Sequence, residues 1–73
     1  MVEKGVYRHY KGGLYEVLGN AVHTETGEKL VIYRPVGVIS KMWARPESMW
    51  NDYIVSEDVK RFTKVWWKND KWM

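Results

Sequence analysis

The segment Lys29-Leu30-Val31-Ile32-Tyr33-Arg34 decides the fold of this 73-residue chain. Its centre is apolar and contains two consecutive β-branched residues, which is typical of a buried strand. Turn signals lie on both sides of it. Glu25-Thr26-Gly27-Glu28 predicts a hairpin turn before the strand, and Pro35 with Gly37 predicts a break or a bulge after it. A buried strand between two turns predicts a sheet built from short neighbouring strands.

The same kind of pattern predicts four further strands on either side of this segment. Gly12-Gly13 predicts a tight turn between the first two, because glycine takes the positive φ that such turns require. Pro46 predicts the start of a short helical turn over 46–50, since the N–H that proline lacks is not needed there. The four predicted strands are Val6–Tyr10, Leu14–Val22, Val38–Arg45 and Phe62–Trp67.

The fold class that follows is mainly β: a small antiparallel barrel with one short helical turn, whose last strand closes the edge of the sheet. Val59, Phe62 and Trp66 fall at helical spacing, so a helix is the alternative for the C-terminal stretch. Residues 1–73 are expected to form a single domain, in which 65–73 is a Trp- and Lys-rich C-terminal extension.

The composition excludes several kinds of site. The chain has no cysteine, which excludes disulfides, thiolate metal sites and a cysteine nucleophile. The carboxylates are scattered and no serine lies in a Gly-flanked elbow, so no nucleophile, base and orienting group can be assembled. We therefore expect a protein that is not an enzyme and that has no cofactor. Eleven aromatic residues, five of them Trp, are expected to stabilise the small core.

The two histidines, His9 and His23, form with Glu25 the one combination that suggests a metal triad or an acid–base pair. The alternative is turn chemistry, in which the side chains of Thr and Glu form hydrogen bonds with the local backbone and His23 donates a hydrogen bond to a carbonyl. With two histidines and no thiols, we predict no metal site.

The charge balance favours anionic partners. Twelve Lys and Arg against nine Asp and Glu give a net charge of +3, with the excess near the C-terminal end. This bias favours nucleotides, nucleic acid or acidic surfaces, although ordinary solubility also explains it. No apolar run approaches the roughly 18 residues of a membrane span, and the polar N-terminal sequence does not resemble a signal peptide. We expect a cytoplasmic protein of a bacterium or a phage that does not act at a membrane.

Seven short blocks follow one another along the chain. They are Tyr7-Arg8-His9-Tyr10-Lys11-Gly12, Tyr15-Glu16-Val17-Leu18-Gly19, His23-Thr24-Glu25-Thr26, Val31-Ile32-Tyr33-Arg34, Trp43-Ala44-Arg45-Pro46, Met49-Trp50 and Arg61-Phe62. Over roughly residues 5–64 this string resembles a family of small bacterial and phage-encoded domains, domain of unknown function 1653. The chain departs from the family pattern in the middle loop, in the Met-Trp block, in the loop before Arg61 and in the tail. The resemblance implies a compact, SH3-like, mostly antiparallel β barrel, and it implies no reaction.

Basic and aromatic residues alternate where the first predicted strand ends. Arg8, Tyr10 and Lys11 precede the glycine turn, and exposed backbone N–H groups together with Arg and Lys can hold a phosphate there. The alternative is that Arg8 pairs with a carboxylate on the facing strand, such as Glu16.

Two further places pair an aromatic residue with an arginine, Tyr33-Arg34 and Trp43-Ala44-Arg45. An arginine fork binds a phosphate through two hydrogen bonds, and an aromatic face stacks a base. The alternative puts Trp43 in the core, with Arg45 capping the helical turn or stacking on Trp50. The complete set of candidate ligand-binding residues is Arg8, Tyr10, Lys11, Arg34, Trp43 and Arg45.

The C-terminal tail contains three tryptophans, Trp66, Trp67 and Trp72, separated by lysines. Neighbouring residues of a strand face opposite ways, so Trp66 and Trp67 cannot both enter one small core. Exposed Trp side chains mark interfaces or ligand platforms, and we predict that these three form the interface of a homo-oligomer. Ligand stacking and a disordered tail are the alternatives.

These features together predict a small binding protein that captures a nucleotide-like anionic ligand. Sequestration of a host nucleotide immune signal by a phage protein fits a chain of this size, by analogy. The alternatives are a barrel that binds single-stranded nucleic acid and an adaptor that docks peptides on aromatic grooves. A polymer binder shows a continuous basic groove, a sequestering protein shows a closed pocket, and a peptide adaptor shows exposed aromatics without convergent Arg and Lys.

Overall fold

The computed structural model describes residues 1–73 and is built mainly from short strands. The elements are β1 Gly5–His9, β2 Leu14–Val22, β3 Lys29–Pro35, β4 Trp43–Pro46, α1 Glu47–Trp50, β5 Tyr53–Ile54, a 3-10 turn at Val55–Glu57, β6 Val59–Lys60, β7 Phe62–Val65, β8 Trp67–Lys68 and β9 Lys71–Trp72. Five strands form a central antiparallel sheet in the order β4-β3-β2-β1-β7, and β5–β6 and β8–β9 are two small hairpins. The mainly β prediction with one short helical turn is confirmed.

The two predicted turns have the backbone geometry that their glycines allow. Gly12 and Gly13 have φ values of +98° and +82°, and Gly27 has +75°. The N–H of Gly12 donates to the carbonyl of His9 at 2.8 Å, and the N–H of His9 donates to that of Gly13 at 3.0 Å. Gly12-Gly13 therefore joins β1 to β2 as a tight antiparallel hairpin.

The prediction of a closed barrel is wrong, because β4 and β7 are the two free edges of an open sheet. β7 pairs with β1 and is itself one of these edges, so it does not close the sheet. The chain then leaves the sheet at Trp66 and forms its own hairpin instead of reaching β4. On the other side, α1 packs beside β3 and β4.

The predicted strand Val38–Arg45 is wrong in its first half. Gly37 has a φ of +84°, and the N–H groups of Val38 and Lys41 donate to the carbonyls three residues earlier. These turns delay the strand until Trp43. Pro46 lies at the end of β4 and just before α1, with an extended ψ of 135°, so the helical turn begins one residue later than predicted.

One face of the sheet carries the core, and aromatic rings fill it. The buried residues of this cluster are Val2, Tyr7, Val17, Val31, Tyr33, Trp50 and Phe62. Trp50, delivered by α1, lies flat on Phe62 with the ring centroids 3.8 Å apart, and meets Tyr7 and Tyr33 edge to face at 5.3 Å and 5.0 Å. Strand alternation puts Arg8, Glu16, Arg34 and Thr63 on the opposite face.

The C-terminal tail is a hairpin, not a helix or a disordered segment. Trp67 lies directly opposite Trp72, with the two rings edge to face at 5.3 Å, and Lys68 lies opposite Lys71. The turn residues Asn69 and Asp70 both have positive φ, +51° and +62°, as the mirror-image turn of a two-residue hairpin requires. The predicted strand Phe62–Trp67 is therefore divided at Trp66 into β7 and β8.

Candidate functional site

A groove with a volume of 580 Å³ lies beside the glycine turn. The end of β1 and the turn line it together with residues of β6 and of β7, the strand that pairs with β1. Its lining residues are Arg8, His9, Tyr10, Lys11, Gly12, Val59, Lys60, Thr63 and Val65. Three of the six predicted ligand-binding residues, Arg8, Tyr10 and Lys11, therefore lie together, and we call this site the basic groove.

The charged side chains that line the basic groove are all positive. Arg8, Lys11 and Lys60 are exposed cations, and none of the nine lining residues is acidic. Three cations without a carboxylate among them produce a positive potential that favours an anion. The basic groove can thus hold a phosphate or carboxylate group by charge-assisted hydrogen bonds.

Lys60 is the residue that the sequence reasoning missed. It is far from Lys11 in the chain and carries no motif. The backbone brings it close: the N–H of Tyr10 donates to the carbonyl of Arg61 at 2.9 Å, and the N–H of Arg61 donates to that of Asp52 at 2.8 Å. The β5–β6 hairpin is thereby attached to the end of β1, with Lys60 beside the glycine turn.

The backbone N–H groups of the glycine turn contribute less to the basic groove than predicted. The N–H of Lys11 donates to His9 Nδ1 at 3.2 Å, and that of Gly12 donates to the carbonyl of His9. Both donors are therefore already satisfied inside the turn. Side-chain cations supply the attraction for an anion in the basic groove.

His9 lies between the basic groove and the aromatic core, with its ring 4.9 Å from Phe62 and 4.8 Å from Tyr10. Burial lowers the pKa of His9, and the neighbouring cations Arg61, Arg45 and Lys11 lower it further. A neutral imidazole also fits the hydrogen bond that Nδ1 accepts from Lys11.

The lowered pKa of His9 predicts a pH-dependent stability. At a pH between the lowered pKa of His9 in the folded protein and its ordinary pKa of 6.5, His9 is protonated in the unfolded chain but not in the folded protein. The free energy of unfolding should therefore fall as the pH is lowered from about 7.5 to about 5.5. Urea denaturation should show a smaller fall in His9→Gln, which keeps an acceptor for Lys11 but cannot titrate. An equal fall in both proteins would contradict the prediction.

Arg8 and Arg34 lie on the same face of the sheet, but they have different partners. Arg34 Nε donates to Glu16 Oε1 at 3.2 Å, and Arg8 Nη2 donates to the carbonyl oxygen of Trp72 at 3.2 Å. The alternative that Arg8 pairs with Glu16 is therefore wrong, because Arg34 holds that carboxylate. Arg34 does not line the basic groove.

Trp43 and Arg45 project from β4 onto the core face and do not line the basic groove. Trp43, 40% exposed, packs its ring against Tyr33 and Tyr15 at 5.7 Å and 6.5 Å. Arg45 Nε donates to the Tyr33 hydroxyl at 3.3 Å, and its guanidinium lies 5.5 Å from the centre of Phe62. Arg45 thus covers the rim of the core and neither caps α1 nor stacks on Trp50.

The second histidine, His23, has a local role in the hairpin turn. Its Nδ1 accepts hydrogen bonds from the N–H groups of Glu25 and Thr26 at 3.2 Å and 3.4 Å. Turn chemistry is therefore the observed use of His23, as an acceptor and not as the predicted donor. No group of three or more His, Cys, Asp or Glu is arranged to hold a metal ion. None of the helices has the length and apolarity to cross a membrane.

Comparison with known proteins identifies the family. A family model described as "Protein of unknown function (DUF1653)" matches residues 5–64. The chain belongs to the DUF1653 family. A crystal structure of a DUF1653 protein from Bordetella bronchiseptica is similar, with a TM-score of 0.75 and 35% identity over 88% of this chain and 87% of that chain. No curated protein matches the chain.

The resemblance drawn from the seven sequence blocks is confirmed by this match. In this DUF1653 protein the first block supplies the end of β1 and five of the nine residues that line the basic groove. The basic groove lies within the matched residues except for Val65, whereas the hairpin β8–β9 lies beyond them.

Proposed function

We propose that the basic groove captures the phosphate of a nucleotide-like anionic ligand, and that the protein binds this ligand without converting it. The observation that carries the proposal is the convergence of Arg8, Lys11 and Lys60 around a groove without a carboxylate. Burying two or three of these charges against a phosphate replaces mutual repulsion with charge-assisted hydrogen bonds. A sequestering protein is expected to close its pocket around the ligand, and the basic groove is open to solvent, so the proposal is one of binding.

Tyr10 is the stacking surface that belongs to the same site. Its ring is half-buried beside His9, and the Lys11 ammonium lies 5.7 Å from the ring centre. A base can stack on Tyr10 while Lys11 turns to the phosphate, since a lysine side chain has several rotatable bonds. Convergent cations also favour a nucleotide over peptide docking, which needs exposed aromatics without them.

A panel of ligands on the unmodified protein tests this proposal. ADP, AMP, adenosine, ADP-ribose and a cyclic dinucleotide are compared by thermal shift at equal concentration. A ligand at a hundred times its Kd stabilises the folded state by about 2.7 kcal/mol, which raises the Tm of so small a domain by several degrees. We expect stabilisation by the phosphorylated ligands and none by adenosine. Equal effects of ADP and adenosine, or none by any ligand, would overturn the proposal.

A further inference from the structure

The C-terminal hairpin β8–β9 and the basic groove adjoin one another. Arg8 lines the groove, and its guanidinium donates to the carbonyl of Trp72. Val65 also lines the groove and leads directly into Trp66 and β8. A ligand longer than one nucleotide can therefore pass from the basic groove onto the hairpin.

The hairpin presents aromatic faces to solvent. Trp66 and Trp67 are each 59% exposed, although Trp67 also contacts Trp72. Neighbouring residues in an extended chain face opposite ways, so Trp66 lies on the side of the hairpin that carries Lys68 and Lys71, and Trp67 lies on the other side with Trp72. Base–aromatic stacking depends little on sequence, because every base has a π face.

The hairpin also carries an unfavourable charge pair. Lys68 lies directly opposite Lys71, and like charges in this position destabilise a two-stranded ladder. Asp70 in the turn is the one acidic residue of the hairpin. A polyanion that binds here relieves the repulsion, whereas a second copy of the hairpin would add two more lysines to it.

We infer that this protein binds single-stranded nucleic acid, with phosphates in the basic groove and along Lys68 and Lys71 and with a base stacked on Trp66, on the same side of the hairpin as the two lysines. This inference rests on the proposed function and extends it from a single nucleotide to a polymer. Alternating cations and exposed aromatic rings are the combination that single-strand binders use. Self-association through the three tail tryptophans, as predicted from the sequence, is the competing use of the same side chains.

The first measurement compares the mononucleotide dTMP with an oligothymidylate of about eight nucleotides. The oligonucleotide should bind more tightly, by about five- to 150-fold for the base that stacks on Trp66. Arg8, Lys11, Lys60, Lys68 and Lys71 predict a salt slope of about −3.5, which is a loss of about 130-fold between 50 mM and 200 mM salt. If dTMP binds and the oligonucleotide binds no more tightly than dTMP, this inference fails while the proposed function stands. If neither binds, the proposed function fails with it.

Two variants separate stacking from charge. Trp66→Ala should remove the gain of the oligonucleotide over dTMP, while Trp43→Ala, which removes a 40% exposed ring outside the basic groove and the hairpin, should keep it. Lys68→Ala with Lys71→Ala should reduce the salt slope by about 1.4 and should not weaken the hairpin, because the repelling pair is gone. Unchanged oligonucleotide affinity in the Trp66 variant would overturn the inference. Light scattering that finds a stable dimer which the oligonucleotide does not dissociate would also overturn it, in favour of the Trp interface.

Discussion

Trp50→Ala is expected to remove a large part of the stability of this protein. Trp50 is 2% exposed and contacts Phe62, Tyr7 and Tyr33, so its removal leaves a large cavity at the centre of the aromatic core. Replacing a buried Trp by Ala costs about 3–5 kcal/mol. A domain of this length has a total stability of about 4–11 kcal/mol, at about 0.05–0.15 kcal/mol per residue. Urea denaturation followed by circular dichroism should find a lower free energy of unfolding in the variant, by about 3–5 kcal/mol, or a variant that is unfolded without urea.

Trp66→Ala is the matched control for Trp50→Ala. It removes the same side chain from a position that is 59% exposed, where the Lys64 ammonium at 5.2 Å from its ring is a neighbour. Surface substitutions of this kind usually change stability by less than about 0.5 kcal/mol. If the two variants unfold at the same urea concentration, the stacked Trp50–Phe62 pair is not the centre of the core.

Lys11→Ala combined with Lys60→Ala is expected to weaken the binding of ADP about a hundred-fold. Each charge-assisted hydrogen bond contributes roughly 1.5–3 kcal/mol, and exposure of both lysines places the effect at the lower end. Both side chains are exposed and neither forms an ion pair in the free protein, so the fold should be preserved. Isothermal titration calorimetry at constant salt measures the change.

The control variant combines Lys4→Ala with Lys29→Ala. It loses the same two charges at exposed positions outside the basic groove, so it corrects for the effect of net charge. We expect it to bind ADP within about two-fold of the parent protein, since screening weakens distant charges. Equal losses in the two variants would show that overall charge, and not the basic groove, attracts the ligand. Arg8 is left intact because its guanidinium also anchors the hairpin at Trp72.

The strands and turns of the first half of the chain were predictable because local chemistry determines them. β2 was predicted with its observed bounds, and the glycine turn before it has the positive φ that was expected. The prediction of β4 failed where no local rule distinguishes a strand from a series of turns. Val38–Lys41 contains residues that favour strands, yet Gly37 directs the chain into turns before Trp43.

The candidate site was predictable in part. Residues that are neighbours in sequence were placed correctly, and residues from distant strands were not, for a physical reason. Arg8, Tyr10 and Lys11 are neighbours in sequence, so the end of one strand places them at one groove. Arg45 was expected to join them, but register puts it opposite Val31 on the core face, where it bonds Tyr33. A shift of one residue in the register between two strands moves the side chains of the shifted strand to the other face of the sheet.

The sequence by itself determined the mainly β class, the turns, the family and the excess of aromatic and basic residues, because each depends on local conformational preference or on composition. Only the tertiary structure decided which of these residues meet. The barrel stays open because the chain leaves β7 at Trp66 to form its own hairpin, and no local pattern marks that departure. Lys60 reaches the glycine turn through backbone hydrogen bonds between distant segments. Such long-range pairing depends on the summed packing of the whole core, so the basic groove appears only when the chain is folded.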